Sequence, residues 1–371
     1  MAQHWIPAAF VRGGTSKGLF FEARDLPPLR RDRDPFLLAA MGSPDPYGRQ
    51  LDGMGGGLSS LSKVVIVGPS RRDGIDVEYT FAQIVVDQPV VDYGANCGNL
   101  ASAVGPYAVD QGIVDRADGP ATVRIHNTNT DKVIEAHFEV RDGCARVDGN
   151  FTIPGVSGTG APVKLDFLDP AGARTGRLLP SGAPIDELSI DGVPFTVSLV
   201  DATNPVVFVA AASCGLLGSE SVAELEARPA TLALLDQIRR RAAVAMGLCE
   251  RPEDAPMSNP KVAIVSAPAD YSTLDGAAVL ATDHDLGMRM ISVGQVHRAV
   301  TVTGALCTAV AQQVPGTLVA DIVPGDVDGL RIGSPSGVFT VDADVDGLEV
   351  RSASLFRTCR RLMQGSVAAP G

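Results

Sequence analysis

Two helical stretches without a polar face restrict this chain more than any other feature. One runs over 98–111, with Leu100, Ala101, Ala103 and Val104 on every side. The other covers about 304–313, with Leu306, Ala309 and Val310 similarly spread. A helix that is apolar all round is buried all round. Most other apolar segments of the chain read as strands, so the simplest cover for such a helix is a sheet that curls around it. Two such helices call for two such sheets. Pro106 lies inside the first pattern and is expected to break or kink it, because proline has no backbone N–H to donate.

The strand-like segments are "KVVIVGP", "VEYTFAQIVV", "ATVRIHNTNTDKVIEAHFEV", "FTVSLVDA", "VVFVAAAS", "KVAIVSAP" and "GVFTVDADVDGLEVRSAS". Turn residues at Asn127 to Thr130 and at Asp344 to Gly347 mark hairpins. Further helices are expected at 222–227 and 230–247. Strands and helices do not alternate regularly, so the fold class is α+β rather than a doubly wound sheet. An internal echo supports two related domains. "SKVVIVGP" matches "PKVAIVSAP", with Lys63 opposite Lys261, and each is followed by a small-residue helix and then a strand–turn–strand segment. A length of 371 residues exceeds the usual size of one core. The Pro- and Gly-rich stretch around 180–195 places the division at 1–185 and 186–371.

A net charge of −12 argues against nucleic acid or an anionic membrane as partner. No apolar run reaches the ~20 residues of a spanning helix, and the N-terminus has no basic region before its apolar patch. A cytoplasmic location is therefore expected. The six cysteines, at 97, 144, 214, 249, 307 and 359, include no C-x-x-C pair, and the five histidines are scattered. No metal and no cofactor is expected.

Three stretches hold candidate chemistry. In "GANCGN", Cys97 precedes a helix, where free N–H groups and partial positive charge favour a thiolate and bind carboxylates. Asn96, Gly98 and Asn99 crowd the same helix end; the competing reading is a small buried hydrophobe. In "FVRGGTSKGLFF", Gly13-Gly14 frees the backbone, while Arg12, Thr15, Ser16 and Lys17 supply donors for an anion; the alternative is a plain tight turn. In "QLDGMGGGLSSLSKVVIV", Lys63 enters an apolar strand, where desolvation makes an amine a usable base. A strand-end lysine that reaches for water explains the same spacing. Lys261 carries the same ambiguity. Ser292, His297 and Arg298 in "SVGQVHRAV" are weaker candidates. "GMGGG" follows no strand and opens no helix, so it is not a nucleotide fingerprint.

Together, "RGGTSKG", "MGSPDPYGRQLDGMGGGLSSLSKV", "DYGANCGNLASAVGPYA", "NTNT", "NPKVAIV" and "HRAVTVTGALCTAVA" resemble the PrpF family. Its members include 2-methylaconitate cis–trans isomerases and relatives that act on oxalomesaconate and methylitaconate. The resemblance implies a diaminopimelate epimerase-like fold of two related domains, each a curled, barrel-like sheet around a central helix. It also implies an active site in the cleft between them. Lys63 is then the proton shuttle and Cys97 faces it. Arg12, Thr15, Ser16, Lys17, Asn96, Gly98, Asn99, Lys261, Ser292, His297 and Arg298 fall in segments that line the substrate cleft in such proteins.

Epimerases of that fold use two opposed cysteines. Here the second turn reads Thr301-Val302-Thr303, so the partner thiol is missing, and Cys307 lies further into the helix. The expected activity is cofactor-independent isomerisation of a small anionic polycarboxylate by a 1,3-allylic proton shift, in a possible homodimer. An amino-acid epimerase or racemase, and a non-catalytic accessory protein of a dehydratase, are the competing classes.

Overall fold

The structure is a computed structural model that describes residues 3–94 and 96–370. The chain forms two compact units, Met1–Asp166 with Phe356–Gly371, and Phe167–Leu355.

The first unit is built on strands β1 (Gln3–Gly13), β2 (Ser16–Glu22), β3 (Lys63–Pro69) and β4 (Val77–Ile84), with helix α1 (Arg30–Met41) between β2 and β3. Two short helices follow, α2 (Gly98–Ala101) and α3 (Val104–Asp110), and then the hairpin β5 (Gly119–Asn127) and β6 (Lys132–Arg141). β1 and β2 are antiparallel, β2 and β3 parallel, β3 and β4 antiparallel, β4 and β5 parallel, and β5 and β6 antiparallel. α2 packs on β1 and β2 while α3 packs on β5 and β6, so strands from both ends of the pairing order meet one helical segment. The sheet curls around it. Gly105 makes this approach possible: a Cβ there would lie 2.9 Å from the Phe138 ring. The other face of the sheet is closed by α1, with Leu37 and Met41 packed against Leu19, Phe21, Val64 and Ile66. Burial on both faces explains why β2 and β3 read as continuous apolar runs rather than alternating ones.

The second unit repeats this plan. Its strands are β7 (Val193–Ala202), β8 (Asn204–Ala210), β9 (Lys261–Ser266) and β10 (Leu286–Ser292), with helix α4 (Pro229–Ala245) between β8 and β9. Helix α5 (Val302–Gln312) precedes the hairpin β11 (Leu330–Ser334) and β12 (Gly337–Asp346). The pairings run antiparallel, parallel, antiparallel, parallel, antiparallel in the same succession. Every residue of α5 is buried. α4 covers the opposite face through Leu235, Ile238 and Ala242. Two related units, each a curled mixed sheet around a buried helix, are what the apolar helices required.

Three details differ from expectation. The first unit ends at Asp166 and recovers the chain from Phe356, instead of dividing at 185/186. The cause is the strand Cys359–Pro370, which pairs with β1 from Gln3↔Pro370 to Gly13↔Cys359. The helix expected over 98–111 is broken at Ser102 and Ala103. Pro106 has no N–H for the Ser102 carbonyl four residues earlier, so the helix restarts at Val104 with proline in its first turn, where its missing donor costs little. Finally, α1 forms around Pro35, ending at Gly42 in the left-handed conformation (φ 76°).

Candidate active site

Lys63 opens β3 directly opposite Gln83 of β4. It is buried, and its Nζ donates to Gln83 Oε1 at 2.6 Å while lying 4.9 Å from the centre of the Phe81 ring. Among the described residues it forms no ion pair. Burial holds its pKa below the ordinary lysine range, and the nearby Cys97 thiol acts more weakly in the opposite sense. The backbone approach on the other side depends on Gly18, where a Cβ would sit 2.3 Å from the Lys63 carbonyl oxygen.

The glycine-rich loop before Lys63 is a brace. Asp45 accepts from the amides of Tyr47, Arg49 and Gln50. Buried Gln50 donates to Ser43 Oγ at 2.8 Å and Ser62 Oγ at 2.6 Å, and accepts from Gly57 N at 3.0 Å. Ser62 in turn donates to the Ile84 carbonyl. The residues on either side of the Lys63–Gln83 pair are thereby fixed.

Cys97 is buried, stands in extended conformation immediately before α2, and makes no capping bond with its side chain. Tyr79 Oη donates to its carbonyl at 3.2 Å. Asn96 Oδ1 accepts from Asn127 Nδ2 at 2.8 Å, and Asn127 Oδ1 accepts from Asn129 N and Thr130 N. Asn129 then bridges β4 to the segment before Cys97, accepting from Phe81 N and donating to the carbonyls of Phe81 and Tyr93. The "NTNT" turn is thus what holds the Cys97 segment against β4.

Gly98 and Asn99 are the first residues of α2, both buried. Asn99 Oδ1 accepts from Thr15 N at 3.2 Å and Arg357 Nε at 3.3 Å, and its Nδ2 donates to Thr15 Oγ1 at 3.1 Å. The Gly13-Gly14 turn is therefore docked on the helix end. A Cβ at Gly14 (φ 51°) would lie 2.1 Å from Asn99 Oδ1. Arg12 is fastened by Nη1 to the carbonyls of Gly14 and Thr358, and burial lowers its pKa. Ser16 is buried, and half-buried Lys17 lies 5.4 Å from the centre of the Phe10 ring. Lys63, Cys97, Asn96, Gly98, Asn99, Arg12, Thr15, Ser16 and Lys17 thus all belong to the first unit. Within it the 12–15 turn and Asn99 are joined by hydrogen bonds, and Lys63 and Cys97 are close enough for charge on one to act weakly on the other.

In the second unit, Lys261 opens β9 and is buried, with Nζ donating to the Ser258 carbonyl. The register Val262↔Ile291 puts Ser292 opposite it, as Gln83 stands opposite Lys63. His297 is buried and its Nδ1 accepts from Ala299 N at 3.2 Å, which leaves the ring proton on Nε2. Arg298 is exposed. At the start of α5, Thr301 Oγ1 caps the helix by accepting from Gly304 N. Thr203 Oγ1 donates to the Thr303 carbonyl and Asn204 Nδ2 to Thr303 Oγ1. A hairpin tip thus docks on Thr303 as the 13–16 tip docks on Asn99, which aligns Thr301 with Cys97. Cys307 lies inside the helix, fully buried, with its thiol directed at the Val200 carbonyl and its pKa raised by burial.

Four participants escaped the sequence reading. Gln83 breaks the alternation of β4, a polar residue in its buried half where Glu78 and Thr80 lie on the half-exposed side, and that is its only signal. Asn127 and Asn129 lie in a quoted motif but had no assigned task. Arg357 is buried on Asn99, and burial lowers its pKa to about 10. Among the described residues, no group of three or more His, Cys, Asp or Glu side chains is placed to hold a metal ion, and no helix is long and apolar enough to cross a membrane.

The chain is 40% identical over 368 residues to 3-methylitaconate isomerase of Eubacterium barkeri, covering 98% of this chain and 96% of that protein. It is 40% identical over 385 residues to 2-methyl-aconitate isomerase of Cupriavidus necator, covering 99% and 97%. The crystal structure of a methylitaconate-delta-isomerase superposes with a TM-score of 0.81 at 39% identity, covering 100% of this chain and 96% of that one. Residues 3–370 match the family described as PrpF protein. The chain belongs to the PrpF family, and it is an isomerase.

Proposed function

We propose that the chain moves the double bond of an unsaturated di- or tricarboxylic acid of the methylitaconate or methylaconitate kind, using Lys63 as base and no cofactor. The observation that carries this reading is the state of Lys63: a buried amine whose hydrogen-bond partner is a neutral amide and whose proton affinity is lowered by burial. A neutral amine is what an allylic proton needs. A carbon acid next to an alkene conjugated with a carboxylate loses its proton to a positioned base, giving a dienolate with its charge on the carboxylate oxygens. The Lys63 ammonium returns one proton to the far carbon, or the Cys97 thiol does so and its thiolate then takes the proton held by the Lys63 ammonium. One proton leaves and one arrives, so the double bond moves without net oxidation.

Arg12, Lys17, Lys261 and Arg298 are proposed to supply positive charge for the substrate carboxylates. The buried position of Cys307 and the capping role of Thr301 favour this reading over an epimerase with two thiols. The test is incubation with methylitaconate, aconitates and oxalomesaconate in deuterated buffer. Wild-type protein is expected to isomerise at least one and to carry deuterium into it, and Lys63→Ala to do neither. Full activity in that variant would sink the mechanism. Exchange confined to a saturated stereocentre of an amino acid would point to an epimerase.

A further inference from the structure

We infer that Gln83 is the positioning residue that aims Lys63 without the negative charge that would hold it as an ammonium; this rests on the reading of Lys63 as the base. The orientation of its amide is dictated by its surroundings. Gln83 Nε2 faces three carbonyl oxygens, of Ser62 at 2.9 Å, Ser59 at 3.1 Å and Ile84 at 3.4 Å. Only the NH2 end can face them, so the oxygen is left for Lys63, 2.6 Å away. Gln83 is itself buried, and Ser62 is pinned by Gln50 from the glycine-rich loop. The acceptor therefore cannot swing away when the amine gains or loses its proton.

The choice of an amide matters. A carboxylate at this distance would favour the ammonium form by its full charge, and a protonated lysine is no base. An apolar side chain would leave Nζ without an acceptor and its direction unfixed. An uncharged oxygen accepts an N–H from either form and so orients the amine while favouring the charged state far less. The titratable group whose charge acts on Lys63 is Cys97, from the segment before α2, and Phe81 on β4 supplies a ring face. On β2 the backbone of Gly18 is the neighbour.

The chain has five lysines, at 17, 63, 132, 164 and 261. Protein labelled with 13C at lysine Cε thus gives five signals, and Lys63→Met identifies that of Lys63. Its pH titration reads the amine directly, without substrate. In Gln83→Glu the Lys63 signal is expected to titrate about one pH unit or more above wild type, as for an amine given a charged partner. In Gln83→Met it is expected to titrate below wild type. The sign for activity follows. The neutral fraction grows as pH rises through the Lys63 pKa, so kcat/KM rises through that pKa and then levels. The rising limb should move up in Gln83→Glu by the same shift, with about tenfold or greater loss at pH values below the wild-type limb that recovers as pH is raised.

A Lys63 titration in Gln83→Met that coincides with wild type would overturn the inference, as would an unmoved signal in folded Gln83→Glu. If Gln83→Glu does not fold, Gln83→Met decides alone. Should Lys63→Met retain activity while the Gln83 variants shift the signal as expected, the base assignment falls and the control of Lys63 by Gln83 stands.

Discussion

The two units put the same turn at the start of the same helix and use it differently. At Thr301-Val302-Thr303 the first hydroxyl caps α5 and the third residue receives a hairpin tip. At Cys97-Gly98-Asn99 the third residue again receives a hairpin tip, but the first side chain makes no cap. The lysines that open β3 and β9 differ in the same way: one donates a hydrogen bond to a glutamine at 2.6 Å, the other stands opposite a serine. The contacts that hold the scaffold are repeated in both copies. The departures gather around Lys63 and Cys97, which is where a duplicated framework would be free to specialise one copy for proton transfer and leave the other to bind.

The largest expected effect tests that division at the lysines. Lys63→Ala should lower kcat by about 10²–10⁴, the range for loss of a positioned base. Lys261→Ala should keep solvent exchange and mainly raise KM, by about tenfold, equivalent to one ionic contact near 1.4 kcal/mol. Steady-state kinetics and deuterium uptake on both variants separate the two. If Lys261→Ala abolishes exchange as fully as Lys63→Ala, the units share the proton chemistry and the comparison breaks.

Much of this contrast was legible in the sequence, for physical reasons that also explain the gaps. Buried helices show as runs with no polar face, and Gly, Cys and Asn crowded at a helix start mark a tight approach. The Lys63 and Lys261 echo survives because each begins a strand buried on both faces. Non-local pairing leaves no such mark. The strand Cys359–Pro370 joins β1 across nearly the whole chain, so the boundary at 185/186 could not include it. Arg357 reaches Asn99 across 258 positions. α1 was missed because Pro35 and its charged first turn mask a helix whose apolar residues are all crowded into its second half, from Phe36 to Met41. Arg12 shows a different limit. Its place in the glycine turn was legible, but not that its Nη1 is tied to the carbonyls of Gly14 and Thr358.

A smaller effect probes the repeated scaffold itself. Asn99→Ala removes the acceptor for both Thr15 N and Arg357 Nε, and leaves a buried guanidinium with one contact fewer. A loss of about 1.5–3 kcal/mol is expected, the range for hydrogen bonds to a charged group. Thr303→Val removes only the acceptor of Asn204 Nδ2, because Thr203 bonds to the Thr303 backbone. About 1 kcal/mol is expected there. Urea unfolding measures both. Equal losses would mean that the Arg357 contact adds nothing to the first unit.

The smallest effect sits at the first residue of the turn. Thr301→Ala deletes a cap and should cost about 1 kcal/mol, as such deletions usually do. Cys97→Ser introduces a hydroxyl where the extended conformation suits a cap but the native side chain makes none. It should cost nothing in stability and gain about 0.5 kcal/mol if the hydroxyl reaches a free amide of α2, while kcat falls, though by less than in Lys63→Ala. Such opposed changes would mean that the position in the first unit is kept for chemistry at the expense of its helix. A Cys97→Ser variant that loses stability as Thr301→Ala does would mean that the thiol is there for packing, and the proposed role of Cys97 in returning the proton would lose its structural support.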